Sequence, residues 1–573
     1  MIRIITDGGV SLDIDPSAEF EIEYENPMLD DSHLPVPFST SIALLPTPRN
    51  CKALGYLAAM MLEPSVKKIS ASIEVRGIPL FFGVLEYDGI DDGKLNYTFS
   101  GRNVETEWEK KIWQLDILKY KGEECPSVMA RIVYGNEPGI CTPLLIDPEY
   151  VAKSVYKDKD GNVEQVDVPD KYINSPLDAF DKVYSYDRFM PVVDVDRILS
   201  VIADSWTDVP SFTPLSIIGR YSVSIRYFKT AWRGLHDGLL DTMDQYKSSS
   251  FDIAETLPDM SLAELVKNLA RMRCASIYYD GEKVQFMTFD DVLKAAPEDW
   301  DEKVADSFTA VPESGCRYVF GFSDDSTSSY SSSELSKELA DDKITDAIGY
   351  SEVLAAAGDG DYSPARNKLT GDIYSGKYFS ANGNKVYLED MVFHNVGKRE
   401  TSADDNASSF DATADLIPVS VIPDVLYSGN KARYRVAPLV SPLSADSERD
   451  SKAYIGYVYD GQMSDSGYTL GADGKDRLKG VALPKLSGMY NECLLSPDNL
   501  WEEYHKNFAS WISRDRQCVT ADLDLSVLDI SSFRMYRLVC FRGRRWVVKK
   551  LTLTFSAGSD AVSTRGEFIS YDV

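Results

Sequence analysis

The residues able to do chemistry are sparse for a chain of 573 residues. Its four histidines, His33, His236, His394 and His505, share no metal-ligating spacing. A nucleophilic serine would be expected in a Gly-x-Ser-x-Gly elbow, and none occurs; a Walker phosphate loop and a dinucleotide fingerprint are missing too. Adjacent carboxylates stand at Asp30-Asp31, Asp324-Asp325 and Asp404-Asp405, but 90 acidic residues produce such pairs by chance and define no glycosidase dyad. Lys157-Asp158-Lys159-Asp160-Gly161-Asn162 has the oxygens of a calcium loop without the placed glycine and distal glutamate of an EF-hand, so it reads as an Asp-Gly hairpin tip. The eight cysteines include no Cys-x-x-Cys pair and are too dilute for a disulfide framework; they read as small apolar fillers in a reducing compartment. The expectation is no catalytic residue, no cofactor-binding residue and no metal ligand: a protein that is not an enzyme.

Charge narrows the class further. Sixty basic residues against 90 acidic ones give a formal net charge of −30, a surface that stays in solution and repels nucleic acid. One basic patch interrupts it, Arg542-Gly543-Arg544-Arg545-Trp546 with Lys549-Lys550. On an acidic chain this reads as a hairpin tip that docks on an acidic neighbour rather than on nucleic acid. No apolar run is long enough to span a bilayer, and the opening Met1-Ile2-Arg3-Ile4-Ile5-Thr6 reads as a short strand rather than a signal peptide.

The elements are mainly β. Phe20, Ile22 and Tyr24 alternate with Glu19, Glu21, Glu23 and Glu25, and the same period of two recurs at 68–75 and 94–100. Arg76-Gly77 and Asp92-Gly93 supply turns, and Asn50 is expected to cap a helix running to about Met61. Trp108–Leu115 and Asp194–Trp206 have helical spacing, the latter with Val195, Ile198, Val201 and Ile202 on one side. Ser261-Leu262-Ala263-Glu264 is a capping box, followed by Leu262, Leu265, Val266 and Leu269 on one helical face. A hairpin across Asp280-Gly281 and a helix near Asp290 come next. Trp501, Tyr504, Phe508, Trp511 and Ile512 mark an aromatic helix face, and strands follow at 519–525, 537–541, 545–555 and 567–571.

These patterns divide the chain into a β-barrel domain at 1–103, a mixed α/β peripheral domain at 104–250, a helix plus β-ribbon at 251–320, a loop-rich peripheral insertion at 321–495 and a helix plus β-barrel at 496–573. The fold class is mainly β with α elements (α+β): two small antiparallel β barrels with mixed peripheral domains.

Three segments resemble phage tail hub proteins, the baseplate or tail-tip family that joins tail tube to spike. Phe251 to Leu293 is similar to a hub stretch in which Leu257-Pro258-Asp259-Met260 leads into the helix from Ser261, the ribbon across Asp280-Gly281 and a further helix. The run from Phe20 to Asn26, with Phe38-Ser39-Thr40-Ser41 to Thr47-Pro48-Arg49-Asn50, resembles the start of hub-like proteins from phages and prophages of gut anaerobes. Trp501 through Leu523-Asp524-Leu525 to Tyr571 is similar to the hub's closing barrel. The resemblance implies a structural virion protein of the tail, assembled in the bacterial cytoplasm. A homotrimer would present six tube-like barrels to a sixfold tube. Its partners would be the tail tube protein, spike or fibre proteins and the tape-measure protein, and DNA would pass its channel without specific binding or membrane insertion. It implies no lytic activity. Glu21 and Glu23 are the candidate lumen-facing residues, because alternation puts them on the wet face of their strand and a water-filled channel hydrates them; an ordinary outer solvent face is the other reading of the same alternation. The rival reading is a β-rich receptor- or carbohydrate-binding tail protein, marked by exposed Trp and Tyr on a concave face.

Overall fold

The computed structural model describes residues 2–30, 37–55, 67–101, 108–115, 119–124, 138–141, 145–146, 151–157, 163–169, 172–173, 192–203, 207–208, 215–218, 250–252, 257–279, 284–323, 345–347, 365–367, 373–381, 384–393, 398–401, 408–418, 421–428, 431–438, 453–457, 495, 497–559 and 562–572. Its main feature is a 13-stranded sheet. From the first part of the chain come β1 (Ile2–Thr6), β2 (Ser11–Leu12), β3 (Glu19–Glu25), β4 (Phe38–Leu44), β5 (Lys68–Val75), β6 (Ile78–Asp91) and β7 (Lys94–Gly101). The later part gives β8 (Glu298–Asp299), β9 (Val304–Glu313), β10 (Arg516–Leu523), β11 (Val539–Phe541), β12 (Arg544–Ser556) and β13 (Val562–Ser570).

Alternation builds these strands and two-residue turns set their register. Arg76-Gly77 joins β5 to β6, Asp92-Gly93 joins β6 to β7, and Arg542-Gly543 joins β11 to β12. Both residues of each pair have positive φ: 54° and 81°, 47° and 71°, 53° and 70°. That backbone matches the right-handed twist of the flanking strands, and the glycine takes its share without steric cost.

The strand order is β2-β1-β5-β6-β7-β4-β3-β12-β13-β10-β9, with β11 beside β12 and β8 beside β11. The two ends of the chain therefore meet in one sheet. Their junction is β3 on β12, antiparallel from Glu19 opposite Ser556 to Glu25 opposite Lys550. One hydrophobic core crosses it, including Phe20, Ile22, Tyr97 and Phe99 from the first half and Leu553, Phe555 and Phe568 from the second. Phe20 and Phe555 stack with ring centroids 5.1 Å apart. Among the described residues the strand path is open rather than closed into two separate barrels. A period of two fixes which face is buried but not which strand lies alongside, so the junction carries no local signal.

A second core lies against the back of β12 and β13. Val547 and Ile569 face it, while their neighbours Val548 and Phe568 face the first core. The helix Leu262–Met272 runs through it, with Leu262, Leu265, Val266 and Leu269 buried as their spacing predicts. Its capping box is formed: Ser261 Oγ accepts from the Glu264 N–H at 3.1 Å, and the Ser261 N–H donates to Glu264 Oε2 at 2.6 Å. Ala275–Tyr279 and Val284–Thr288 form the expected hairpin, and Thr288 caps the helix Phe289–Lys294. Val195–Ala203 is helical, with Val195, Ile198 and Leu199 buried. Val151–Lys157 pairs with Val163–Pro169 around the former calcium candidate, whose tip at 158–162 lies outside the described residues. Parts of 321–495 also enter this core: Ser409–Ala414 pairs in parallel with Arg317–Phe322, and Ala412, Ala414, Leu416 and Ile455 are buried.

Two local expectations need correction. The first helix is Pro48–Ala53, and its cap is Thr47, whose side chain accepts from the Asn50 N–H. Asn50 is instead buried in the first turn, accepting from the Asp13 N–H at 2.9 Å and donating to the Asp13 and Leu45 carbonyls, each at 2.8 Å. Proline at the first helical position moves the start upstream, since its missing N–H is one a helix leaves unpaired anyway. The remainder of the expected helix, 56–61, lies outside the described residues. Second, Trp108–Leu115 holds only a 3₁₀ turn at Ile112–Gln114, because its backbone bonds instead to the start of the capped helix: the Leu262 N–H donates to the Lys110 carbonyl at 3.0 Å, and the Ile112 N–H to Met260 at 2.9 Å.

Candidate functional site

The acidic strand is where sequence and geometry first coincide. On β3, Phe20 and Ile22 are fully buried while Glu19, Glu21, Glu23 and Glu25 share the opposite face. Register sets Thr554, Thr552 and Lys550 of β12 opposite Glu21, Glu23 and Glu25, and Arg565 and Glu567 of β13 one strand further on. Thr554 Oγ1 donates to Glu21 Oε1 at 3.2 Å. Lys550 Nζ straddles two carboxylates, 2.8 Å from Glu23 and 3.7 Å from Glu25. Partial burial works against the Lys550 ammonium, yet Glu23, Glu25 and Glu567 outweigh it and hold its pKa above the usual lysine value. Glu21 and Glu23 are thus brought together on one polar sheet face that remains net acidic, with a lysine set among the carboxylates to limit their repulsion.

The arginines of the basic patch make contacts within the molecule. Arg545 makes a two-pronged contact with Asp572, at 2.6 Å from Nη2 and 3.1 Å from Nε, and stacks over Tyr571. Arg542 stacks over Phe308 of β9 at 4.4 Å and donates to the Asp306 carbonyl at 2.9 Å, and Arg544 bonds Gln517. These contacts hold the β11–β12 turn against β9 and against Tyr571 and Asp572.

Of the four histidines only His505 lies in the described residues, and its setting is not one that spacing reveals. It closes a π-helical turn, Trp501–His505, between the helices Pro497–Leu500 and Lys506–Ile512. The wider turn shifts the helical phase, so His505 is buried while Trp501 and Tyr504 are only half-buried. Its ring stacks on Phe320 at 3.7 Å. The Tyr318 hydroxyl lies 2.7 Å from Nδ1, and Nε2 is 3.3 Å from the Met272 carbonyl. A neutral ring satisfies both contacts, accepting from Tyr318 at Nδ1 and donating at Nε2. Burial lowers the pKa to about 3, against the smaller opposing pull of the Met272 carbonyl.

A small cleft opens nearby, walled by Phe289, Tyr318, Phe410 and Phe508, with Cys274 among its lining residues and Asp30, Lys267 and Arg271 around it. Cys274 Sγ is 3.9 Å from the Tyr318 hydroxyl. Both nitrogens of His505 are already engaged, so that ring is not offered to the thiol as a base. Arg271 Nη1 donates to the Thr413 carbonyl at 3.0 Å. Among the described residues no group of three or more His, Cys, Asp and Glu is placed to hold a metal ion. His33, His236, His394, Asp31, Asp324-Asp325 and Asp404-Asp405 lie outside the described residues.

The far edge of the sheet is the other exposed feature. β9 has ten residues, pairs with β10 and has no further strand beside it among the described residues. Phe308 and Val311 on it are 43% and 48% exposed. Pro312 within it is the one edge signal in its sequence, since a strand interior to a sheet has no place for a residue without an N–H.

No protein-family model matches the chain, and no curated protein matches it. Among solved structures it is similar to the 43 kDa tail protein of prophage MuSo2 from Shewanella oneidensis, at 6% identity and a TM-score of 0.34, over 99% of this chain and 97% of that one. It is also similar to a tail protein from Neisseria meningitidis MC58, at 7% identity and a TM-score of 0.33, over 99% of this chain and 95% of that one.

Proposed function

We propose that the chain is a non-enzymatic structural protein of a phage-like virion tail, a baseplate or tail-tip hub that joins the tail tube to the central spike or fibres. The observation that carries this reading is the β3–β12 junction, which sets the first and last β regions side by side in one sheet. A subunit with two tube-like β modules needs that placement, since three copies then offer six modules to a sixfold tube. In this reading the subunits form a homotrimeric ring, and the 321–495 segment extends to fibre or baseplate neighbours. The ring's bore passes the genome and the tape-measure protein.

The acidic face of β3 supplies the lining. A channel that passes DNA must not hold it, and each phosphate paired with Lys or Arg adds affinity and slows transit. Glu21 and Glu23 face the lumen in this reading, and the lysine beside them is already engaged by carboxylates. Cryo-electron microscopy of purified tails tests both parts. Three copies in a ring between tube and spike, with an acidic bore, are expected. One copy per particle, or a place along a fibre, overturns the hub; a bore lined by Lys and Arg, or these glutamates on the outer wall, overturns the lining. Replacing Glu21 and Glu23 by lysine should slow DNA ejection from otherwise normal tails.

A further inference from the structure

Phe38 and Phe82 are 56% and 42% exposed, and both stand on the sheet face turned away from the first core. Register places them on the two sides of β7. Phe38 lies opposite Glu23 on one side and Ser100 on the other, and Ser100 lies opposite Val84. Phe82 follows two residues along β6 on the same face as Val84. The outward residues of β7 are short, Asn96, Thr98 and Ser100, while Leu95, Tyr97 and Phe99 between them are buried. β7 is thus the floor of a shallow trough, with Phe38 as one wall and Val84 and Phe82 as the other. Two strand spacings separate the walls, about 10 Å, close to the width of one helix.

We propose that this trough docks a basic amphipathic helix of another protein. β7 is hydrogen-bonded to β4 on one side and β6 on the other, so a partner meets side chains and not free backbone. That suits the apolar stripe of a helix rather than an added strand. Charge selects the polar residues of the helix. Glu21, Glu23 and Glu25 on β3 and Glu86 and Asp88 on β6 flank the trough. The bases among them are Lys68, held by Glu86 at 3.1 Å, and Lys550, held by Glu23 at 2.8 Å. Five acids against two bases leave the rim negative, and Lys94 at the far end of β7 is neutralised by Asp15 at 2.5 Å. The same rim disfavours a second copy seated face to face, which would bring acid onto acid, and it repels nucleic acid. The inference goes beyond the lining, which uses only the acids: it gives the apolar residues of the same face a partner, and it does not depend on that face bordering a bore.

The test uses the full chain and a fluorescent synthetic helix with leucines along one side and lysines flanking them. The wild type should bind it, and Phe38→Ser and Phe82→Ser should each weaken binding about tenfold. Both side chains are exposed, so the variants should keep the wild-type melting temperature. Leu528→Ser removes an apolar side chain that is 65% exposed on the helix Val527–Ser532, outside the sheet, and should bind as the wild type does. Two further peptides, read on the wild-type chain alone, make the result independent of how the variants fold. Glutamates in place of the lysines should abolish binding, and serines in place of the leucines should weaken it about tenfold. Unchanged binding by the Phe38→Ser and Phe82→Ser chains, or equal binding of the glutamate-flanked helix, overturns the site. Wild-type dimers that Phe38→Ser dissociates would make the occupant a second copy and overturn it as well. None of these outcomes touches the hub reading, which the copy number in the tail decides.

Discussion

His505 shows what a single buried side chain does to the response to acid. Sealed between Phe320 and Tyr318, it is held neutral, with a pKa lowered to about 3, whereas an unfolded chain binds the proton near 6.5. The folded-state value is the depressed one. Its contribution is therefore complete above the unfolded value and is lost as pH falls through 6.5 toward 3, where only the unfolded chain is protonated. Two pH units below 6.5 amount to about 2–3 kcal/mol from this residue. His505→Gln keeps a donor and an acceptor and removes the titration. Urea melts of both proteins at pH 7.5 and pH 4.5 should show the wild type losing that much more than the variant. Equal losses would mean that the ring is not held neutral. At the same scale the sequence was informative where chemistry is local: period-two alternation put Glu21 and Glu23 on one face, and they lie there. It was silent on His505, because a π turn alters the phase of a helix without a composition of its own.

Elements fixed by neighbours within a few residues follow their sequence closely. The capping box at Ser261 and Glu264 is an example: two short side chains three residues apart satisfy N–H groups that the helix cannot bond itself. Ser261→Ala leaves the Glu264 N–H without its acceptor and should cost about 1 kcal/mol, with Ser261→Asp recovering most of it. The helix packs on the aromatic cluster of the second core, so the loss should appear in the denaturant midpoint of the whole chain. No change in the midpoint would mean that the start of this helix does not contribute to the transition. The three turns with positive φ at both central residues were legible for the same reason. Asn50 was misread because two residue types able to cap stood three apart, and only the packing of Asp13 beside them assigns Thr47 to the cap and Asn50 to the interior. The partnership of β3 with β12 had no such signal, since the strands are more than 500 residues apart and each is compatible with any alternating neighbour.

For the whole molecule, that junction decides whether the ends of the chain are two bodies or one. Phe20 and Ile22 from β3 and Leu553 and Phe555 from β12 belong to a single core, and β13 adds Phe568 to it. Phe20 is fully buried, so Phe20→Ala removes its stacking on Phe555 and opens a cavity at the seam, at a cost of about 3–5 kcal/mol. If each end were an independent barrel, that cost would fall on the first half alone. A shared core spreads it to strands that Phe20 never joins by backbone pairing. Native-state hydrogen exchange separates the two cases residue by residue, because protection reports the free energy of the opening that exposes each amide. The expected outcome is a matched fall in protection for the amides of β7, near Tyr97 and Phe99, and of β13, near Phe568. Protection lost in β7 while β13 keeps its wild-type values would show that the halves open separately, and the side-by-side modules required of a hub subunit would then lack a rigid seam.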